Sequence, residues 1–236
     1  MAIMASASDM TFMIDHYFDF TLFGQKLSVT STHISIIIVD IVILAIALYA
    51  RHIFKHPKDV PGVFQNVIEL AVEMLDSMVS ENMGKNAPRF RNYIGSIFLF
   101  ILLSNISGIL GLRSPTADYG VTLLLGLVTF AMIHLCGMKK NGLKHFKIFI
   151  DPFVFFLPIN LVSEIATPLS LSLRLFGNVM SGTVMLGLWY SLMPWFAKLG
   201  IPSFLHAYFD LFSGAIQTYV FCMLTMVYVQ QKISDE

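Results

Sequence analysis

Charge is scarce in this 236-residue chain: only 13% of its residues are Asp, Glu, Lys or Arg, about half the share of a soluble domain. With 56% hydrophobic residues, it carries more apolar surface than one water-soluble core can hide, and a membrane protein follows. The 15 Lys and Arg balance the 15 Asp and Glu, and basic residues never run beyond two in a row. That excludes the usual footprint of a nucleic-acid binder. Cysteine is nearly absent; Cys136 and Cys222, both inside apolar stretches, make neither a disulfide framework nor a thiolate metal site and read as small buried hydrophobes. The 7 histidines form no HExxH, no GxSxG frames a serine nucleophile and there is no P-loop. No catalytic site, metal or cofactor is therefore expected on this chain. Residues 1–13 contain no Lys or Arg, which argues against a cleaved signal peptide.

Apolar runs able to cross a hydrocarbon core of about 30 Å occur at 34–50, 93–112 and 121–138, the first interrupted by Asp40. Two longer stretches follow at 152–193 and 203–230. As a single helix the former would measure about 63 Å, twice the core, so it is expected to be broken or to lie far from the membrane normal. Between the first two crossings, Val63, Val67, Leu70, Ala71, Met74, Leu75 and Met78 recur at helical spacing beside Glu69, Glu73, Asp76 and Glu81, as in a helix lying on a membrane surface. The expected architecture is all-α and polytopic, one membrane domain over 1–236. It comprises an outer N-terminal segment (1–33), a first transmembrane helix (34–54), an amphipathic helix (62–84), a transmembrane hairpin (93–138) and a steeply tilted helical hairpin (152–231). Eleven basic residues, within 51–58, 85–91 and 139–147 and at Lys232, fall on one side; Lys26, Arg113 and Lys198 fall on the other. The positive-inside bias places the N-terminus outside and the C-terminus in the cytoplasm.

Arg174 belongs to neither set. It sits inside PINLVSEIATPLSLSLRLFGNVMSG, too far from either end for its side chain to reach water. At mid-membrane such a charge costs about 2.5–3.5 kcal/mol on insertion scales, which marks it as functional. Asn160, Ser163, Glu164, Thr167, Ser170, Arg174, Asn178 and Ser181 follow at helical steps along one face, as in a hydrated groove. Taken singly, the hydroxyls would read as packing groups. In the last segment Asp210, Ser213 and Gln217 repeat the pattern more sparsely and are expected to face that stripe across the hairpin. Asp40 and Asp118 are possible channel acids or interfacial ones, and His134 reads as a packed, hydrogen-bonded ring.

The run PLSLSLRLFGN from Pro168 and QTYVFCMLTMVY from Gln217 resemble the a-subunit family of bacterial F-type ATP synthases. NISGILG from Asn105, PTAD from Pro115 and GLKHFKIFIDP from Gly142 extend the resemblance over nearly the whole chain. The resemblance implies a multi-pass protein of the bacterial plasma membrane, the stator beside a rotating ring of c subunits. A b-subunit peripheral stalk and the rest of the synthase would be its further partners, with ATP chemistry on other chains. It implies two offset half-channels meeting near Arg174, which matches the family's essential arginine, with Asn178 and Gln217 as its polar neighbours. Asp210 falls where many members carry an outer-channel acid or histidine. Thr183 stands where the family often has Glu or His, and Asn160 where many have Glu, leaving Asp210 as the outer acid and Glu164 as the inner one. A secondary ion-coupled transporter is the alternative, but no second copy of the Arg174 segment is present, as paired repeats would require.

Overall fold

The computed structural model describes residues 16–22, 25–55, 62–142, 153–198 and 200–233. GLKHFKIFIDP after Gly142, together with Lys58, Lys144 and Lys147, lies outside the described residues. Strands β1 (His16–Leu22) and β2 (Gln25–Thr30) pair antiparallel. They form a small hairpin in what the sequence presented only as an N-terminal segment. Among the described residues every regular element after it is a helix: α1 (Ser31–Lys55), α2 (Val63–Met83), α3 (Ala87–Ile106), α4 (Tyr119–Asn141), α5 (Leu157–Leu192), α6 (Ile201–His206) and α7 (Gly214–Ile233). Short 3-10 turns link several of them, and residues Ala207–Ser213 wind as a π-helix between α6 and α7. Five helical stretches are long and apolar enough to cross a membrane, so the all-α, polytopic architecture holds.

Helix α7 is the axis of the bundle. Gly214, Gln217, Thr218, Phe221, Cys222, Thr225, Met226 and Val229 are buried along it, a stripe stepping by three and four. Around it stand Phe90, Ile94, Ile97 and Ile101 of α3, Ile133 and Cys136 of α4, Leu171 and Leu175 of α5, and Met78, Val79 and Met83 of α2. Helix α1 is peripheral; Ile37, Ile41, Leu44 and Leu48 are exposed on it, as lipid contact allows. Lipid tails are as apolar as leucine, so burial alone does not drive such helices together; close approach and interhelical hydrogen bonds do. Two glycines supply the approach. A Cβ on Gly126 of α4 would stand 2.7 Å from the Pro168 carbonyl oxygen of α5, and one on Gly214 would stand 2.8 Å from the Asn105 Cβ of α3.

The polar half of the same packing comes from the NISG and PTAD motifs. Asn105 Nδ2 donates to the Gly214 carbonyl oxygen at 3.0 Å, and its Oδ1 accepts from Thr116 Oγ1 at 2.7 Å. Ser114 Oγ lies 2.8 Å from Thr116 Oγ1 and donates to the Ser104 carbonyl oxygen at 2.6 Å. All four residues are buried, and each bond spares an amide or hydroxyl the cost of an unpaired position in hydrocarbon. The turn between α3 and α4 is made possible by Gly111 at φ 75°, a left-handed conformation that a Cβ disfavours. Asp118 then starts α4: its carboxylate accepts from the Gly120 N–H at 2.9 Å, the ordinary work of an N-cap.

Candidate functional site

Helix α5 is unbroken over 36 residues, about 54 Å long, with Pro168 inside it. Proline donates no backbone hydrogen bond, so the Glu164 carbonyl loses its helical donor just before the Arg174 turn. Pro168, Leu171, Ser172, Leu175, Gly182, Leu186 and Gly187 are the buried face. Ser163, Ser170, Arg174, Ser181 and Thr183 are exposed, while Asn160, Glu164, Thr167 and Asn178 are half-buried. The polar stripe thus runs along the margin and outer face of α5. Around it, Ile165, Leu169, Leu173 and Met185 are exposed on α5, and Ile216 and Tyr219 on α7. Among the described residues Arg174 has no ion pair or hydrogen bond to a side chain. A permanent cation is therefore presented on an apolar face, with no counter-charge among the described residues.

Several stripe hydroxyls are satisfied within α5. Thr167 Oγ1 donates to the Ser163 carbonyl oxygen at 3.2 Å, Ser181 Oγ to that of Asn178 at 2.9 Å, and Thr183 Oγ1 to that of Val179 at 3.0 Å. One link crosses the hairpin as expected: Ser213 Oγ donates to Asn178 Oδ1 at 2.9 Å. Gln217 is buried on α7, and its Nε2 has no hydrogen-bond partner among the described residues. Asp40 is exposed on α1, remote from the stripe in sequence, and Asp118 is committed to its N-cap.

Among the described residues Asp210 has no hydrogen bond to a residue of the stripe; it pairs with His206. A Cβ added to Gly108, at the end of α3, would meet its carboxyl carbon at 3.2 Å, so Asp210 lies against the NISG motif. It sits within the π winding over 207–213, whose i→i+5 turns change the phase of the residues before it relative to a continuous α-helix; such segments often mark functional sites. His206 Nδ1 lies 2.7 Å from Asp210 Oδ2, and His206 Nε2 lies 3.4 Å from the Tyr190 hydroxyl. The imidazole thus bridges a carboxyl and a phenol through its two ring nitrogens, one of which donates and the other of which accepts in a neutral ring. Tyr190, His206 and Asp210 form a connected hydrogen-bonded row at the end of α5.

At the opposite end of the stripe, Glu164 Oε1 accepts from Lys232 Nζ at 2.6 Å, and His134 Nε2 is 3.7 Å from Glu164 Oε2. His134 also packs edge-on against Phe130, with centroids 4.2 Å apart. Helices α4, α5 and α7 thereby converge on one carboxylate. His206, Tyr190 and Lys232 are the participants that sequence spacing did not single out. Lys232 was legible only as a terminal basic residue, because the pairing spans 68 positions. Neutralising either member of the Glu164–Lys232 pair should cost about 1.5–3 kcal/mol, the worth of a charged hydrogen bond. The double variant Glu164→Gln/Lys232→Gln should recover part of that loss. Thermal unfolding of the three variants in detergent checks this; additive losses would show that the pair is not coupled.

The ATP synthase A chain family profile matches residues 32–230. The chain is 37% identical over 219 residues to the ATP synthase subunit a, sodium ion specific, of Propionigenium modestum, covering 86% of this chain and 74% of that one. It is 35% identical over 205 residues to the ATP synthase subunit a of Acidothermus cellulolyticus, covering 84% and 74%. With that of Oceanobacillus iheyensis it shares 33% identity over 228 residues, covering 90% and 93%. A match running from the start of α1 to the last turns of α7, on a bundle with five membrane-length helical stretches, means that this multi-pass membrane protein belongs to the ATP synthase A chain family.

Proposed function

We propose that the chain is the stator of the ATP synthase membrane sector and that Arg174 forces ions off the carboxylates of a rotating c-subunit ring. The observation that carries this reading is a cation on the exposed apolar face of α5 that has no ion pair among the described residues. Arginine is not deprotonated in proteins, so it does not relay a proton; it acts as a fixed positive charge. A ring carboxyl facing lipid stays neutral because desolvation penalises its ionised form. Brought within about 4 Å of the guanidinium at an effective dielectric near 20, its ionised form gains about 4 kcal/mol, about a thousandfold in the ionisation equilibrium. The proton leaves on one side, and the carboxylate regains one from the other side as rotation carries it away. Each proton moved down about 100 mV supplies about 2.3 kcal/mol, so many ring sites must be used in turn.

On this reading the Tyr190–His206–Asp210 row lies on the outer half-channel and Glu164 on the inner one, with Asn178, Ser213 and Gln217 between them. Arg174 also keeps the two paths from joining. Helix α5, longer than the hydrocarbon core, lies oblique to the membrane normal. The b-subunit stalk holds the chain still in the plasma membrane, with its N-terminus outside and its C-terminus cytoplasmic. Arg174 acts on a carboxylate whichever cation that carboxylate carries, so a sodium-specific relative and a proton-driven one can share this face.

Co-purification separates a stator from a transporter. The full chain should bring a c-subunit ring with it and be inactive in flux without one; coupled transport by the isolated chain would overturn the proposal. In the same membranes, cysteines replacing Lys26 or Lys198 should label from outside and one replacing Lys139 only from the cytoplasm. Labelling of positions 26 and 139 from one side would reverse the orientation. Asp210→Asn should slow ion entry from outside about 10²-fold or more, as loss of a positioned acid–base group does, and more than Glu164→Gln. Vesicle flux driven from outside reads the difference, and normal flux in Asp210→Asn would remove this row from the path.

A further inference from the structure

At one end of the bundle, where the α2–α3 turn meets the C-terminal ends of α4 and α7, there is a cavity of about 690 Å3. Its cations come from separate elements: Lys85 from the turn, Arg89 from the start of α3 and Lys139 from the last turn of α4. Lys140, also on the wall, donates to the Ile233 carbonyl oxygen at 2.7 Å and ties α4 to α7. Among the described residues no carboxylate lies within ion-pair distance of Lys85, Arg89 or Lys139. The inner wall is apolar, with Met83 and Cys136 buried. Beside it, Asn86 Nδ2 reaches Gln230 Oε1 at 3.4 Å and joins the turn to α7.

Like charges converge on this concavity although each would be better dispersed, and no anion from the described chain compensates them. Phosphate oxygens are the acceptors that ammonium and guanidinium groups recognise best together. A cationic rim over an apolar wall, at the ends of membrane-length helices, has the form of a site for an acidic headgroup. We propose that this cavity binds a phosphate group carried by an acidic phospholipid, which clamps the α2–α3 turn to α4 and α7. The inference does not depend on the role of Arg174.

Native mass spectrometry of the full chain in mild detergent, with phosphatidylglycerol or phosphatidylcholine added, tests it. The wild-type chain should retain phosphatidylglycerol in preference. Lys85→Gln/Lys139→Gln should lose affinity for it about thirtyfold, the worth of two interfacial cations. Lys85→Arg/Lys139→Arg should keep the affinity, and Lys198→Gln, outside the cavity, should not change it. Unfolding temperatures of the same preparations show whether each variant is folded. Equal retention of the two lipids, or a folded double Gln variant that keeps the preference, would overturn the site. Release of the lipid by millimolar inorganic phosphate would assign the cavity to a soluble phosphate and overturn the lipid. A preference that appears only after truncation behind Ile233 would show that Asp235 and Glu236 act as the native anions, and would overturn the proposal as well.

Discussion

Arg174→Ala should abolish coupled ion movement in reconstituted vesicles while leaving the helical bundle intact. The side chain is exposed on α5 and contributes no hydrogen bond or ion pair among the described residues, so its removal leaves no cavity and no orphaned partner within the chain. On the proposed stator reading, what is lost is the field at the ring. Without about 4 kcal/mol of attraction, a ring carboxyl remains neutral throughout its circuit, and ionisation falls about a thousandfold. With the catalytic head removed, the same variant should leak ions passively in both directions if, as proposed, Arg174 is the fixed charge that separates the two paths. Arg174→Lys keeps a charge but loses the planar fork and is able to deprotonate when desolvated, so it should couple poorly. Coupled pumping at the wild-type rate in Arg174→Ala would end the stator reading.

Gly126→Val should lower both stability and flux, although it lies on another helix from Arg174. The new Cβ would stand 2.7 Å from the Pro168 carbonyl oxygen and 3.4 Å from the Ser172 Cβ. The first of these is backbone and has no rotamer by which to escape. Helix α5 must therefore move away from α4 at its proline, less than two turns before Arg174. Overpacking of this kind costs about 1–3 kcal/mol, and the displaced arginine would meet the ring out of position, where errors near 1 Å cost about 10²-fold in rate. Gly95→Ala, with nothing within 4 Å of the added Cβ, is the control and should be neutral or slightly stabilising. Unfolding temperature and vesicle flux measure the pair. A folded, fully active Gly126→Val would show that the α4–α5 contact does not position Arg174.

Much of this arrangement was legible because membrane helices advertise themselves by length and polarity. The crossing that begins near Ile34, the long α5 and the Arg174 stripe follow from apolar runs and the 3.6-residue period. In α7 the 3.6-residue period puts Gln217 on a face expected to meet the stripe, and the structure buries Gln217 with Phe221 and Thr225 along that helix. What depended on distant partners was not legible. Glu164 appeared as a lone acid, and only folding brings Lys232 to it. NISG and PTAD served as markers of resemblance, whereas Asn105 and Thr116 tie α3 to α7 and Gly108 leaves room for the Asp210 carboxyl. The N-terminal hairpin did leave a signal, an aromatic-rich run His16–Leu22 followed after Phe23 and Gly24 by a second short run ending in Val29 and Thr30, and it was overlooked beside the much stronger apolar runs. The π winding left none, because Ala207–Ser213 has the composition of any apolar helix.

That wider winding makes the limb before Ala207 and the core limb of the last segment independent of one another in phase. Within a uniform α-helix, adding one residue turns everything beyond it by about 100°. Placed inside α7, such an insertion would swing Phe221, Cys222 and Met226 off the faces that α3 and α4 grip. Placed between His206 and Gly214, it can be absorbed by one more or one fewer wide turn. The segment is thus a slip joint: the limb bearing His206 can lengthen, shorten or rotate over evolutionary time while Gln217 stays aimed where the bundle holds it.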